Sequence, residues 1–578
     1  MVGKNESKAP LIENDIREAL RILEQIRCPG LTQGFADIKL TAEWLLEFLP
    51  LVAYKEGQSV VWVALLGGTG TGKSTIFNAL CRLPLSATGI ERPMTSGAIG
   101  YAHKDTNITQ GFPFFFLNAV SVNLEDIKHS LAGNNDEFLI ILHNINQYKQ
   151  LVIVDTPDLD SLEPENRRTA EKFSSLADAV VFVTSQEKYA DDAPYQLLKR
   201  EVEYKKPCFL LVNKTSKDLT RDEIAATLQL KEIPDNIMEI GLLPYVIGET
   251  EKVISNCESF NSLREFILSH IQLQQGMSLL PQRRNFNREK ALDAIGNIVR
   301  LIMEEQKASD NWEKSLAALA ENAASDLISL EEKRFASQSR EYIKNKIQML
   351  FQRYDLLAKP RKVIREIILL PLKMLGIIDP KNEKSREEIL ARMKEKGPVA
   401  PLRETIESLS REVLRDLSPA GEETPLYRAL REKGVRFTGE ELEERLSREN
   451  QKLLTWLEET FSKLSRDITG VKKWGIYTTS ILWGILILVL ETVVGGGFTV
   501  LDALLGSALA PFVTKGATEL FASHEIRKTA QELARLHKEG LLSIVEEQRA
   551  RYWQCLARLT PPKETVEILT ALEERLNQ

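Results

Sequence analysis

The chain has little of what usually makes a small site legible. Its five cysteines, Cys28, Cys81, Cys208, Cys257 and Cys555, are scattered, odd in number and never spaced C-x-x-C. That excludes a disulfide framework and a cysteine zinc site, and it reads as a reducing compartment. The six histidines do not cluster and no G-x-S-x-G occurs, so metal-site hydrolase, protease and esterase chemistry have no constellation behind them. A net charge of −7 leaves no global basic field, and no specific nucleic-acid partner is expected. The stretch Met1 to Pro10 is polar and has no apolar h-region, so no secretory leader is expected. From Arg283 to Ala358 there is no proline and one glycine, Gly296.

What is present begins with Gly67-Gly68-Thr69-Gly70-Thr71-Gly72-Lys73-Ser74-Thr75, which fits G-x-x-x-x-G-K-[ST], the phosphate-cradling P-loop. Glycines let backbone N–H groups close around an anion, where a side chain would block the approach. Lys73 is expected to reach the β- and γ-phosphates, and the Ser74 hydroxyl to ligate Mg²⁺. The flanks supply the context the motif needs. Val60 to Leu66 is an apolar, β-branched run of strand length, and Ile76-Phe77-Asn78-Ala79-Leu80 continues as a helix whose N-terminus favours the phosphate.

With 578 residues the chain is too long for one core. Residues 1–56 read as N-terminal helices broken at Pro29-Gly30, forming a neck. Residues 57–275 alternate apolar strands (60–66, 151–154, 179–184, 208–212) with helical stretches, the pattern of a parallel α/β domain. Residues 276–470 read as a helical stalk or folded-back bundle, with a basic, proline-interrupted hinge at 359–380 that has lipid contact as its alternative. Residues 471–516 carry a hydrophobic hairpin or paddle, and 517–578 return as a C-terminal helix. The fold class is thus an α/β P-loop domain plus a long, mainly α-helical stalk or bundle with a hydrophobic hairpin.

Two further strand ends carry chemistry. Leu151 to Val154 leads into Asp155-Thr156-Pro157-Asp158, and Leu210-Leu211-Val212 leads into Asn213-Lys214. Between the P-loop and Asp155 lies Glu91-Arg92-Pro93-Met94-Thr95-Ser96. Together these residues resemble the GTPases of the translation-factor and dynamin class. They are most similar to bacterial dynamin-like, mitofusin-like proteins, with Era-like G domains as the looser match, over about 57–275. The resemblance implies GTP and Mg²⁺ as ligands. It implies that Asp155 holds the metal, that Asn213 braces the P-loop, and that the Lys214 stem lies over the purine. It also implies a threonine that closes on metal and γ-phosphate; Thr95 is the choice, with Thr88 and Ser96 as rivals. Arg92 is a candidate transition-state cation or a solvated loop arginine. No catalytic base is evident, so Lys73, Thr95, Asp155 and the metal are expected to position and neutralise. The sequence departs from the pattern at Asp158, where D-x-x-G has glycine, and at Ser216, where N-K-x-D has the guanine-reading aspartate. Asp218 is a possible substitute, and ATP is the rival nucleotide.

Trp474 to Thr514 holds only two charges, Glu491 and Asp502, with Gly495-Gly496-Gly497 in the middle and Lys472, Lys473 and Lys515 at the flanks. Cationic flanks suit a hairpin entering from and returning to the cytosol, although an uncharged run of 17 residues, 474–490, favours a shallow paddle over clean spans. The alternative is a buried hairpin inside a helical bundle. The expected function is GTP hydrolysis coupled to binding, remodelling or tethering of an anionic lipid membrane, in a cytoplasmic protein held at the membrane's cytoplasmic face. A homodimer or higher homo-oligomer would form through the GTPase domain. The alternative functions are a soluble switch GTPase whose helices bind a protein or ribosomal partner, and a nucleotide-binding scaffold with little turnover.

Overall fold

The computed structural model describes residues 9–88, 97–161, 163–188, 192–216, 219–228, 238–244, 254–272, 279–334, 399–419, 421–467 and 517–578, with isolated positions between 489 and 505. The expectations placed on Arg92, Thr95, Ser96, Asp218, the 359–380 hinge and nearly all of the 474–514 segment lie outside the described residues. Among the described residues no helix is long and apolar enough to cross a membrane.

The chain divides into two units. The first takes residues up to Ile26, Lys39–Arg300 and Lys563–Gln578. Its centre is an eight-stranded sheet ordered β3-β4-β2-β5-β1-β6-β7-β8. The strands are β1 (Val61–Leu66), β2 (Ala98–His103), β3 (Asn118–Asn123), β4 (Glu137–His143), β5 (Leu151–Asp155), β6 (Ala179–Ser185), β7 (Cys208–Thr215) and β8 (Met238–Pro244). All neighbours run parallel except β2 with β5. The sheet is therefore mixed rather than parallel throughout, because β2 enters from the opposite direction and pairs Ile99 with Asp155.

Strands buried on both faces read as continuous apolar runs, and β1, VWVALL, is buried at every position. Its side chains still alternate between faces. Val61, Val63 and Leu65 join one core with Ile76, Phe77 and Leu80, while Ala64 and Leu66 pack on Leu159, Phe182 and Leu198. The helices of this unit are α1 (Ala9–Gln25), most of α2 (Phe35–Gly57), α3 (Lys73–Cys81), α4 (Pro164–Leu176), α5 (Asp192–Glu203), α6 (Arg221–Thr227), α7 (Glu258–Gln272), the start of α8 (Leu279–Arg334) and the C-terminal Lys563–Asn577. That last helix packs on α1, with Arg575 Nε donating to Asp15 Oδ2 at 3.1 Å.

The second unit takes Arg27–Ile38 and Leu301–Pro562 and is helical. It comprises the rest of α8, α9 (Val399–Asp416), α10 (Pro425–Leu430), α11 (Gly439–Asp467) and α12 (Ala517–Ala557); the Lys563–Asn577 helix of the first unit is α13. Its core joins Trp312, Leu316, Leu402, Leu409, Leu541 and Tyr552. Two of its buried polar groups are matched by long-range bonds: Trp312 Nε1 donates to the Leu417 carbonyl at 2.8 Å, and Tyr552 OH to Ser410 Oγ at 2.7 Å. Glu305, fully buried, accepts from Gly30 N (3.1 Å), Leu31 N (3.2 Å), Thr32 N (2.6 Å) and Thr32 Oγ1 (2.6 Å). One carboxylate thus orders the whole turn where the sequence breaks at Pro29-Gly30.

Candidate nucleotide site

In parallel sheets, ligands collect beyond the carboxyl ends of the strands. Here β1, β5, β6 and β7 run parallel side by side, so Gly67, Asp155, Gln186 and Asn213 emerge at one edge. The P-loop leaves β1 and enters α3 at Gly72, whose φ of +100° is open to glycine and strained for other residues. A Cβ on Gly72 would strike the Asn213 amide, and one on Gly67 would strike the Val183 carbonyl. The loop is compact enough that only glycine fits at these two places.

The structure brings together Gly67 to Thr75, Asp155, Asn213 and Lys214. Asn213 Nδ2 donates to the Thr71 carbonyl at 3.0 Å, and Lys214 Nζ to the Gly70 carbonyl at 2.9 Å. Lys73 is buried and donates to the carbonyls of Gly67 (2.9 Å) and Gly68 (3.2 Å) and to the Asp158 carboxylate. The Ser74 hydroxyl is hydrogen-bonded to Asp155. Thr88, the described rival to Thr95, is exposed at the start of the segment leading to it.

Asp155 is completely buried, and burial pushes its carboxyl up against the opposing pull of Lys73, Ser86 and Ser74. Its Oδ2 accepts from Ser86 Oγ at 2.7 Å, while Oδ1 has no hydrogen-bond partner. A buried carboxylate oxygen left unpaired is costly, and beside the Ser74 hydroxyl it forms an oxygen donor set that suits a hard divalent cation. The residues therefore fit Mg²⁺.

Asp160, Lys188, Ser86, Asn78 and Gln186 join the site without having been singled out in the sequence. Asp160 Oδ1 accepts from both Thr69 N and Thr69 Oγ1 at 2.6 Å, and Oδ2 accepts from Lys188 Nζ at 3.0 Å. Burial opposes its ionisation, yet these bonds from Thr69 and Lys188 bring its pKa down to about 2. Asp158 and Asp160 thus place two carboxylates on the P-loop donors that a phosphate would use. Ser86 is held by Asn78, whose side chain bonds Leu85 N, Ser86 N and the Ser86 carbonyl. Gln186 and Ser216 pair twice, Ser216 N to Gln186 Oε1 at 2.6 Å and Gln186 Nε2 to Ser216 Oγ at 3.2 Å. For Gln186 and Lys188 a usable signal existed: both lie just past the 179–184 strand, at the same edge as the P-loop.

A glycine loop between a buried strand and a helix, a lysine in its mouth and a metal-suited aspartate on the neighbouring strand define a P-loop nucleotide hydrolase. The sequence carries the class further: residues 63–216 match the model of the Dynamin family. The protein is a GTPase, with a dynamin-like GTPase domain. No curated relative matches the chain. Among solved structures it is similar to one from "an oligomerised bacterial dynamin pair", at 14% identity and a TM-score of 0.34, with 99% of each chain covered. It is also similar to LeoA, a bacterial dynamin GTPase from ETEC (15%, TM-score 0.24, 95% of this chain and 99% of that one). A third similarity is to Toc33 from Arabidopsis thaliana (14%, TM-score 0.23, 44% of this chain and 96% of that one). At such scores the identification rests on the family match and the geometry.

Proposed function

We propose that this GTPase couples its nucleotide cycle to binding, remodelling or tethering of an anionic membrane. The observation that carries the reading is the dynamin-family match over 63–216 in a chain that also holds the 41-residue, nearly uncharged run 474–514 with lysines at both flanks. In this reading Lys73 turns from Asp158 to the β- and γ-phosphates, and Thr69 N–H turns from Asp160 to the same anion. Ser74 and Asp155 hold Mg²⁺, which supplies charge neutralisation at the phosphates when bound. Asn213 keeps the P-loop in register, Lys214 covers the purine, and Gln186 with Ser216 sits where the base edge is read. Thr95 and the 155–160 turn respond to the γ-phosphate, and a G-domain pair forms the homo-oligomer at the cytoplasmic face of the membrane.

The test is GTP and ATP turnover by purified protein with and without anionic liposomes, beside Lys73→Ala. Expected is GTP turnover that rises on liposomes, a preference over ATP, and loss in the variant. Turnover indifferent to lipid, together with unchanged flotation when 481–490 is made polar, would overturn the membrane role and leave a soluble switch GTPase.

A further inference from the structure

A second polar cavity lies in the first unit, away from the P-loop. It has a volume of about 100 Å³ and is lined by Arg200, Lys206, Arg283, Lys290, Asn287 and Glu201, with Trp44, Phe48, Tyr204 and Phe286 as aromatic walls. Four segments meet there: α2, the end of α4, the corner from α5 into β7, and the first turns of α8. Four cations thus face one carboxylate.

The cations outnumber the carboxylates: Glu201 lines the cavity, and Asp178 just behind it also attracts Arg283. Lys206, almost fully buried, donates to the Ser174 carbonyl at 2.5 Å and pairs with Glu201 at 2.6 Å. Arg200 shares that same carboxylate at 3.4 Å. Arg283, also buried, bonds only a neutral carbonyl, Tyr204 O, at 2.9 Å. The other acid close by, Asp178, is taken by Lys55 at 2.6 Å and by Trp62 N at 2.8 Å. Lys290 makes no ion pair among the described residues; its ammonium lies 5.2 Å from the Tyr204 ring and 5.7 Å from that of Phe286. Aromatic faces attract a cation but carry no net charge. Asn287 is buried and presents its amide to the cavity wall. Burial lowers the proton affinity of Lys206 against the opposing pull of Glu201, and Arg283 lowers it further, as expected where cations outnumber their counter-ion.

Uncompensated buried charge is destabilising, and a cavity of this size, against about 150 Å³ for one that takes benzene, holds a single tetrahedral anion. We propose that this cavity is an anion site for a phosphate group, clamped by Arg283, Lys290 and Asn287, which ties α2 and α8 to the α5–β7 corner of the GTPase domain. The phosphate comes from a free phosphorylated solute or from a phosphomonoester lipid headgroup, two sources of one chemistry.

Because a P-loop also takes phosphate, the full chain is first saturated with a non-hydrolysable GTP analogue and Mg²⁺. Inorganic phosphate is then titrated calorimetrically at constant ionic strength. In parallel, flotation is measured on phosphatidylcholine vesicles with and without phosphatidic acid. The expected result is one equivalent of phosphate bound, weakened at least about tenfold in Lys290→Met, for the loss of one charge-assisted contact. Lys199→Met removes an exposed charge from the same α5 helix and should leave binding intact. Binding to phosphatidic acid vesicles alone, with the same dependence on Lys290, assigns the lipid source. No binding of either probe, or equal loss in Lys199→Met, overturns the site.

Discussion

Asp158 stands where the related motif has glycine, and its carboxylate is engaged by Lys73. On the proposed reading a nucleotide takes the lysine from it, so part of the phosphate's binding energy would be used to break an existing pair. Asp158→Gly removes that competitor. The expected outcome is GTP and GDP affinity higher by about tenfold, the scale of one charge-assisted bond, measured by fluorescent-nucleotide titration; unchanged or weaker affinity would show that Asp158 helps the bound state instead. His143 makes a separate residue-scale prediction. Burial, and then the neighbouring His103, lower its pKa from 6.5 to about 4. Its Nδ1 accepts from Ile145 N at 3.0 Å, and its ring stacks on Tyr101. The unfolded chain takes up this proton below about 6.5 and the folded protein only near 4, so stability falls as pH drops through that window. Urea midpoints should decline between pH 6.5 and 4, and decline less in His143→Gln.

Among the elements, the four strand ends that build the site were legible because they are continuous apolar runs closed by polar residues: β1 before Gly67, β5 before Thr156, β6 before Gln186 and β7 around Asn213. Strands β2 and β3 were not, while β4, EFLIILH, carries an apolar run of the same kind that the sequence reading passed over. Residues 98–103, AIGYAH, are all buried, yet they carry a glycine, two alanines and a histidine and read as neither strand nor helix. Residues 118–123, NAVSVN, lie at the sheet edge and are half exposed, so no apolar run marks them. The clamp of Asp160 by Thr69 and Lys188 joins positions far apart in sequence, which no local pattern encodes. The same holds for Glu305 and the 30–32 turn, where the break at Pro29-Gly30 is legible and its partner, 273 residues or more away, is not. Glu305→Ala would leave three backbone N–H groups and the Thr32 hydroxyl without their acceptor. A loss of about 3 kcal/mol or more is expected in denaturant unfolding, with Glu305→Gln recovering part of it; a loss below about 0.5 kcal/mol would mean that water replaces the carboxylate without penalty.

For the whole molecule, the family match covers 63–216, and the long helices belong largely to a separate unit with its own core. Nucleotide should therefore protect the two units unequally. Hydrogen exchange with and without a GTP analogue should slow most in the P-loop, the 155–160 turn and α3; uniform slowing over the α9, α11 and α12 core would argue that the molecule responds as one body. The Lys73–Asp158 pair also sets the terms on which the empty protein survives. Without that carboxylate the buried Lys73 would keep only the Gly67 and Gly68 carbonyls, and its charge would be unmatched until an anion arrived. Asp158 matches that charge, and on the proposed reading whatever the pair contributes is subtracted from the grip on nucleotide. Selection for heat-resistant empty protein would therefore enrich poor nucleotide binders, and selection for tight binding would yield chains that fail when the nucleotide runs out.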